Sequence, residues 1–86
     1  MKLKETFIVH NTSDETLLVP TGGAGFSGMV RGNNTFGAVL ELLKTDTTED
    51  EIIAELISEF DAPESMIASD VKTVLGKLRS IGALDE

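Results

Sequence analysis

Two hydrophobic periodicities divide this chain. Up to Arg31 the apolar positions fall in short β-branched runs, and from Asn33 onward they recur at helical spacing. Residues 5–10 (Glu-Thr-Phe-Ile-Val-His) and 15–20 (Glu-Thr-Leu-Leu-Val-Pro) read as two strands, with Asn11-Thr12-Ser13-Asp14 as the turn of a hairpin. Pro20 lacks a backbone donor and ends the second strand, and Thr21-Gly22-Gly23-Ala24-Gly25 forms a loop. Phe26 to Arg31 is the third strand expected, although Gly28 weakens it because glycine adds backbone entropy and no side chain to pack.

Phe36, Val39, Leu40 and Leu43 share one helical face, which predicts a first helix over about 34–44 with Asn33 or Asn34 as its cap. Thr48 followed by Glu51 has the spacing of a capping box, and Ile52, Ile53, Leu56, Ile57 and Phe60 predict a second helix over about 49–60. Pro63 suits the start of a third and longest helix, whose stripe of Ile67, Val71, Val74, Leu75 and Leu78 runs until Gly82 offers a left-handed stop. Strands followed by helices are the segregated order of an α+β domain. We therefore expect a winged-helix-like fold with a three-stranded antiparallel sheet followed by three helices. A chain of 86 residues has one core to build, so residues 1–86 are read as a single domain.

Charge changes the functional picture more than it changes the fold. The formal net charge is −8, and a surface of that sign repels the phosphate backbone that a winged helix would otherwise read, so nucleic acid is not expected as a partner. Residues 49–70 carry Glu49, Asp50, Glu51, Glu55, Glu59, Asp61, Glu64 and Asp70 with no Lys or Arg, which makes the second helix an acidic face. Lys72, Lys77 and Arg79 follow, where they complement the negative end of a C-terminal helix. No apolar run is long enough to span a bilayer, and Met1-Lys2-Leu3-Lys4-Glu5 leads into a short alternating segment instead of a secretory one, so a cytoplasmic protein with no membrane partner is expected. The absence of cysteine excludes a disulfide framework and thiolate metal sites, in keeping with a reducing compartment.

Residues that could do chemistry do not combine. Gly23-Ala24-Gly25-Phe26-Ser27-Gly28 satisfies the literal dinucleotide-binding spacing, but it opens no helix and has no parallel βαβ unit around it. His10 is the only histidine and sits beside Asn11 at a strand end. Glu51, Glu55 and Glu59 follow i, i+4 spacing opposite the apolar stripe, as a solvated face does. No serine or threonine has a motif that would activate it, so no enzymatic activity, metal or organic cofactor is expected. What the pattern does leave is a strand with Arg31 as its one charge and no proline. Such an edge has few of the usual guards against pairing with another chain.

Four segments form a pattern: Leu17-Leu18-Val19-Pro20, Asn33-Asn34-Thr35 leading into Val39-Leu40-Glu41-Leu42-Leu43, Thr48-Glu49-Asp50-Glu51-Ile52-Ile53 with Phe60-Asp61, and Asp70-Val71 through Val74-Leu75 and Leu78 to Ile81-Gly82-Ala83-Leu84. Together they resemble the PqqD family, the peptide chaperone of pyrroloquinoline quinone biosynthesis and prototype of the recognition domains of ribosomally made, modified peptides. The likeness covers residues 5 to 84, and Gly32 stands where many relatives carry leucine. It implies a domain without chemistry of its own that takes the leader segment of a precursor peptide as an added strand and presents it to a maturation enzyme, such as a radical SAM protein. A second copy of the chain is a further partner to consider. By position it implies peptide-binding roles for Phe26, Met29, Val30 and Arg31 on the third strand and for Val71, Lys72, Leu75, Leu78 and Arg79 on the third helix, with Asn33 as the helix cap. The alternative reading is a regulatory or adaptor winged-helix domain that binds a protein through its acidic helix.

Overall fold

Short polar side chains fix where the first two helices start, and a proline marks the third. In the computed structural model, which describes residues 1–23 and 28–86, the Asn33 side-chain oxygen accepts from the Phe36 amide at 3.1 Å and opens α1 (Asn34–Leu42). Thr48 accepts from the Glu51 amide at 3.2 Å and opens α2 (Glu49–Glu59), while the Glu51 carboxylate takes the Thr47 hydroxyl at 3.0 Å instead of closing a reciprocal box. Pro63 precedes α3 (Glu64–Ser80), where its missing N–H costs nothing, and Gly82 follows with φ of 72°.

Ahead of the helices stand β1 (Lys2–Leu3), β2 (Phe7–Asn11), β3 (Thr16–Pro20) and β4 (Val30–Gly32), and β5 (Leu84–Asp85) closes the chain. The three-stranded antiparallel sheet has the order β2-β3-β4 and is followed by the three helices, as the sequence predicts. Its inner face carries Phe7, Val9, Leu18 and Val30 against α1, and Leu18, Val39, Leu40, Leu43, Ile52, Leu56, Val71, Leu75 and Leu78 are completely buried. A second, two-stranded sheet was not legible from periodicity: β1 pairs with β5, and backbone bonds from Leu3 to Leu43 (2.9 Å) and from Lys4 to Ala83 (2.8 Å) tie both to the helix ends. Two residues are too few for an alternation to register.

The third strand differs from the one expected at Phe26–Arg31. It begins at Val30, Gly28 has φ of 111°, outside strand geometry, and residues 24–27 lie outside the described residues. Pro20 contributes to this limit. On the β3–β4 register its partner would be residue 28, and it has no N–H to give. Among the described residues no helix is long and apolar enough to cross a membrane.

Candidate functional site

Hydrogen-bond parity shows which backbone groups β4 leaves open. In the β2–β3 hairpin the Thr12 amide donates to Glu15 at 2.8 Å and the Thr21 amide to Thr6 at 2.7 Å, so the bonded pairs continue through Ile8 with Val19 and His10 with Leu17. Leu17 and Val19 therefore turn their backbone groups toward β2, and Thr16 and Leu18 turn theirs toward β4. There Thr16 stands opposite Gly32 and Leu18 opposite Val30. Val30 and Gly32 are thus occupied within the sheet. The amide and carbonyl of Arg31 face the other way, onto the edge that has no neighbouring strand among the described residues.

Beside this edge lies a cleft of about 170 Å³ lined by Asn33 and Thr35, which follow β4, and by Asp70, Thr73 and Val74 of α3. Met66, Asp70, Thr73 and Val74 sit at i, i+4, i+7 and i+8, and so form one stripe along the helix. A strand added outside β4 would direct every second side chain to the face on which Val30 and Gly32 lie, and the cleft is on that side. Gly32 itself is required by packing: a Cβ there would overlap the Phe36 ring, so Phe36 fills the space a larger residue at 32 would need.

The residues singled out by the resemblance divide into groups. Val30 packs on the core from its inner side, and Met29 is exposed at 48 % just before the strand. Arg31 projects from the outer face, its Nε 4.0 Å from a Glu15 carboxylate oxygen. Phe26 lies outside the described residues. On α3 the structure buries Val71, Leu75 and Leu78 completely, so these three close the core beneath the cleft and have no surface for a peptide to touch. Lys72 is exposed on another side of the helix. Arg79 is held at the C-terminal end of α3 by Glu86, to which its Nε and Nη2 donate at 3.1 and 2.9 Å. The hydrogen bonds from Arg79 hold the Glu86 carboxyl below the usual glutamate range.

Asp70, Thr73, Val74, Asn33 and Thr35 are the surface that periodicity missed as a group. The signal available was the margin of the α3 stripe, one step round from the fully apolar positions. A second cleft, of about 570 Å³, lies on the outer side of α2 and is lined by Leu42, Thr47, Glu51, Ala54, Glu55 and Ser58. His10, Ile8 and Leu17 share the outer face of the sheet with Arg31.

Comparison with known proteins gives a family and a fold. The family described as coenzyme PQQ synthesis protein D (PqqD) matches residues 8–84. No curated protein matches the chain. Among solved structures the chain is similar to TbiB1 in complex with the TbiA(beta) leader peptide, with a TM-score of 0.79 and 16 % identity over 99 % of this chain and 95 % of that one. It is also similar to lasso peptide synthetase B1 complexed with the leader peptide, with a TM-score of 0.73 and 16 % identity over 95 % of this chain and 93 % of that one. At that identity the likeness is one of fold.

Proposed function

The chain belongs to the PqqD family, and from that membership we propose that it is a non-catalytic recognition module for the leader segment of a ribosomally synthesised precursor peptide. The observation that carries the reading is the open edge of β4 beside the cleft at Asn33, Thr35, Asp70, Thr73 and Val74. The leader pairs with the Arg31 amide and carbonyl as a fourth strand, which gives affinity with little regard to sequence, and the side chains that turn toward α3 supply selectivity. Both neighbouring structures hold a leader peptide, which supports extending that ligand class to this chain.

A module of this kind presents the tethered peptide to a separate maturation enzyme, of the radical SAM class or another, in the cytoplasm. Its contribution to that reaction is effective concentration, since a bound leader makes encounter with the enzyme intramolecular. The test uses the full chain together with candidate precursor peptides and maturases sought among the genes of its source. We expect the chain to bind a fluorescein-labelled leader, to leave the precursor's mass unchanged when alone, and to increase modification when the maturase is present. Modification of equal rate and extent without the chain would contradict the proposal.

A second reading has its own observation. The lining of the cleft on α2 sets the apolar Leu42 and Ala54 beside Glu51 and Glu55, which suits a protein partner with basic residues. An adaptor acting there would lose its partner on combined Glu51→Gln, Glu55→Gln and Glu59→Gln substitution and would show no leader binding at all.

A further inference from the structure

We infer that the cleft between the end of β4 and α3 receives a lysine or arginine side chain of the bound peptide. This rests on the leader-binding reading above and adds the chemical class of one recognised residue. Among the described residues the lining holds one charged group, Asp70, and no ion pair includes it. Thr73 adds a second acceptor: its hydroxyl proton is directed to the Ser69 carbonyl at 3.0 Å, so toward a ligand the oxygen can only accept.

The remaining polar groups do not offset this bias. Asn33 has its side-chain oxygen committed to the Phe36 amide, and both its amide nitrogen and the Thr35 hydroxyl are neutral. Lys72 lies two residues from Asp70 and so on a different side of the helix, and Lys77, which shares the Asp70 stripe at i+7, lies beyond the described lining of the cleft. Val74 is half-buried and gives an apolar wall to the same space, which suits the methylene stem of a long cationic side chain whose head reaches a carboxylate. A peptide carboxylate at this position would face Asp70 with no cation in the lining, in a chain whose net charge is already −8.

The experiment is a double-mutant cycle. The probe is a fluorescein-labelled synthetic leader peptide selected by its binding to the wild-type chain, with each Lys and Arg changed singly to glutamine, titrated against the wild-type chain and Asp70→Asn. We expect one of these peptide changes to weaken wild-type binding about tenfold and to have no further effect on Asp70→Asn. Glutamate at the same peptide position should bind Asp70→Lys better than it binds the wild type. Asp70 is exposed and an amide spectrum checks that its variants stay folded. If no Lys or Arg change matters, or one matters equally in both proteins, the inference fails. If Arg31→Pro nevertheless abolishes binding, the strand-addition reading survives that failure. If the wild-type chain binds no leader, both fall.

Discussion

Leu18 stands opposite Val30 as a hydrogen-bonded pair of the β3–β4 ladder, and that pairing turns the amide of Arg31 to the open edge. Proline therefore has opposite meanings at neighbouring positions. Val30→Pro removes a donor inside the sheet and should destabilise the fold itself, whereas Arg31→Pro removes a donor that only an added strand would use. Arg31→Ala keeps the donor. We predict that Arg31→Pro melts near the wild type yet loses leader affinity, that Arg31→Ala retains most of it, and that Val30→Pro shows a clear fall in thermal midpoint. Fluorescence anisotropy and thermal melts on the three variants check this.

Packing around Gly32 gives a second prediction. A side chain there meets Phe36, so Gly32→Leu should cost about 1–3 kcal/mol in urea unfolding. Phe36→Ala alone should cost about 3–5 kcal/mol through the cavity it leaves. Combined, the two should cost less than their sum because leucine at 32 occupies the space the ring vacates. Strict additivity would mean that the two positions do not share that space.

Core and margin on α3 should separate in a third measurement. Leu75 is completely buried, and Leu75→Ala should cost about 2–5 kcal/mol of stability, with leader affinity near the wild type under conditions where the variant remains folded. Val74 is half-buried and lines the cleft, so Val74→Ser should weaken leader binding with a smaller loss of stability. Paired denaturation and binding curves distinguish the two. The reverse assignment, with affinity following Leu75 and not Val74, would shift the site one step round the helix.

Arg79 and Glu86 supply a pH dependence with a defined sign. Hydrogen bonds from Arg79 lower the folded-state pKa of Glu86 beneath its unfolded value. The stabilisation from this pair is therefore fully present above the ordinary glutamate pKa and is lost as pH falls through the folded-state value. Both side chains are exposed, so the effect should shrink with added salt. In a carbon-13 titration of the Glu86 carboxyl we expect a midpoint below that of an ordinary glutamate, returning toward it in Arg79→Ala.

Much of the fold was legible because long elements repeat their signal. Thr48, Asn33 and Pro63 mark helix starts by chemistry that acts within a turn, and the apolar stripes of the helices identify the faces that the structure buries. The third strand was misplaced at its start because its limit depends on Gly28 and on the missing donor of Pro20, which is a neighbour across the sheet and not in the sequence. β1 and β5 escaped for a related reason, since their partners lie at opposite ends of the chain. At the candidate site, Arg31 as the strand's one charge is legible in the sequence, and the direction of its backbone groups follows from the register. The α3 surface beside the cleft is not legible, because a family resemblance assigns positions to a helix but does not say which of two adjacent stripes is already consumed by the core. Val71, Leu75 and Leu78 are so consumed, which leaves Asp70, Thr73 and Val74 at the surface.

Placement of the leader is the central claim, and backbone amides report on it residue by residue. Isotope-labelled chain is titrated with an unlabelled leader peptide that binds it, and amide shifts are mapped along the sequence. Strand addition at β4 predicts shifts concentrated in residues 28–35 and 66–74, with the Arg31 amide newly protected from hydrogen exchange because it gains a carbonyl partner. Shifts confined to residues 49–59 of α2, with the Arg31 amide exchanging as fast as in the free chain, would contradict the account.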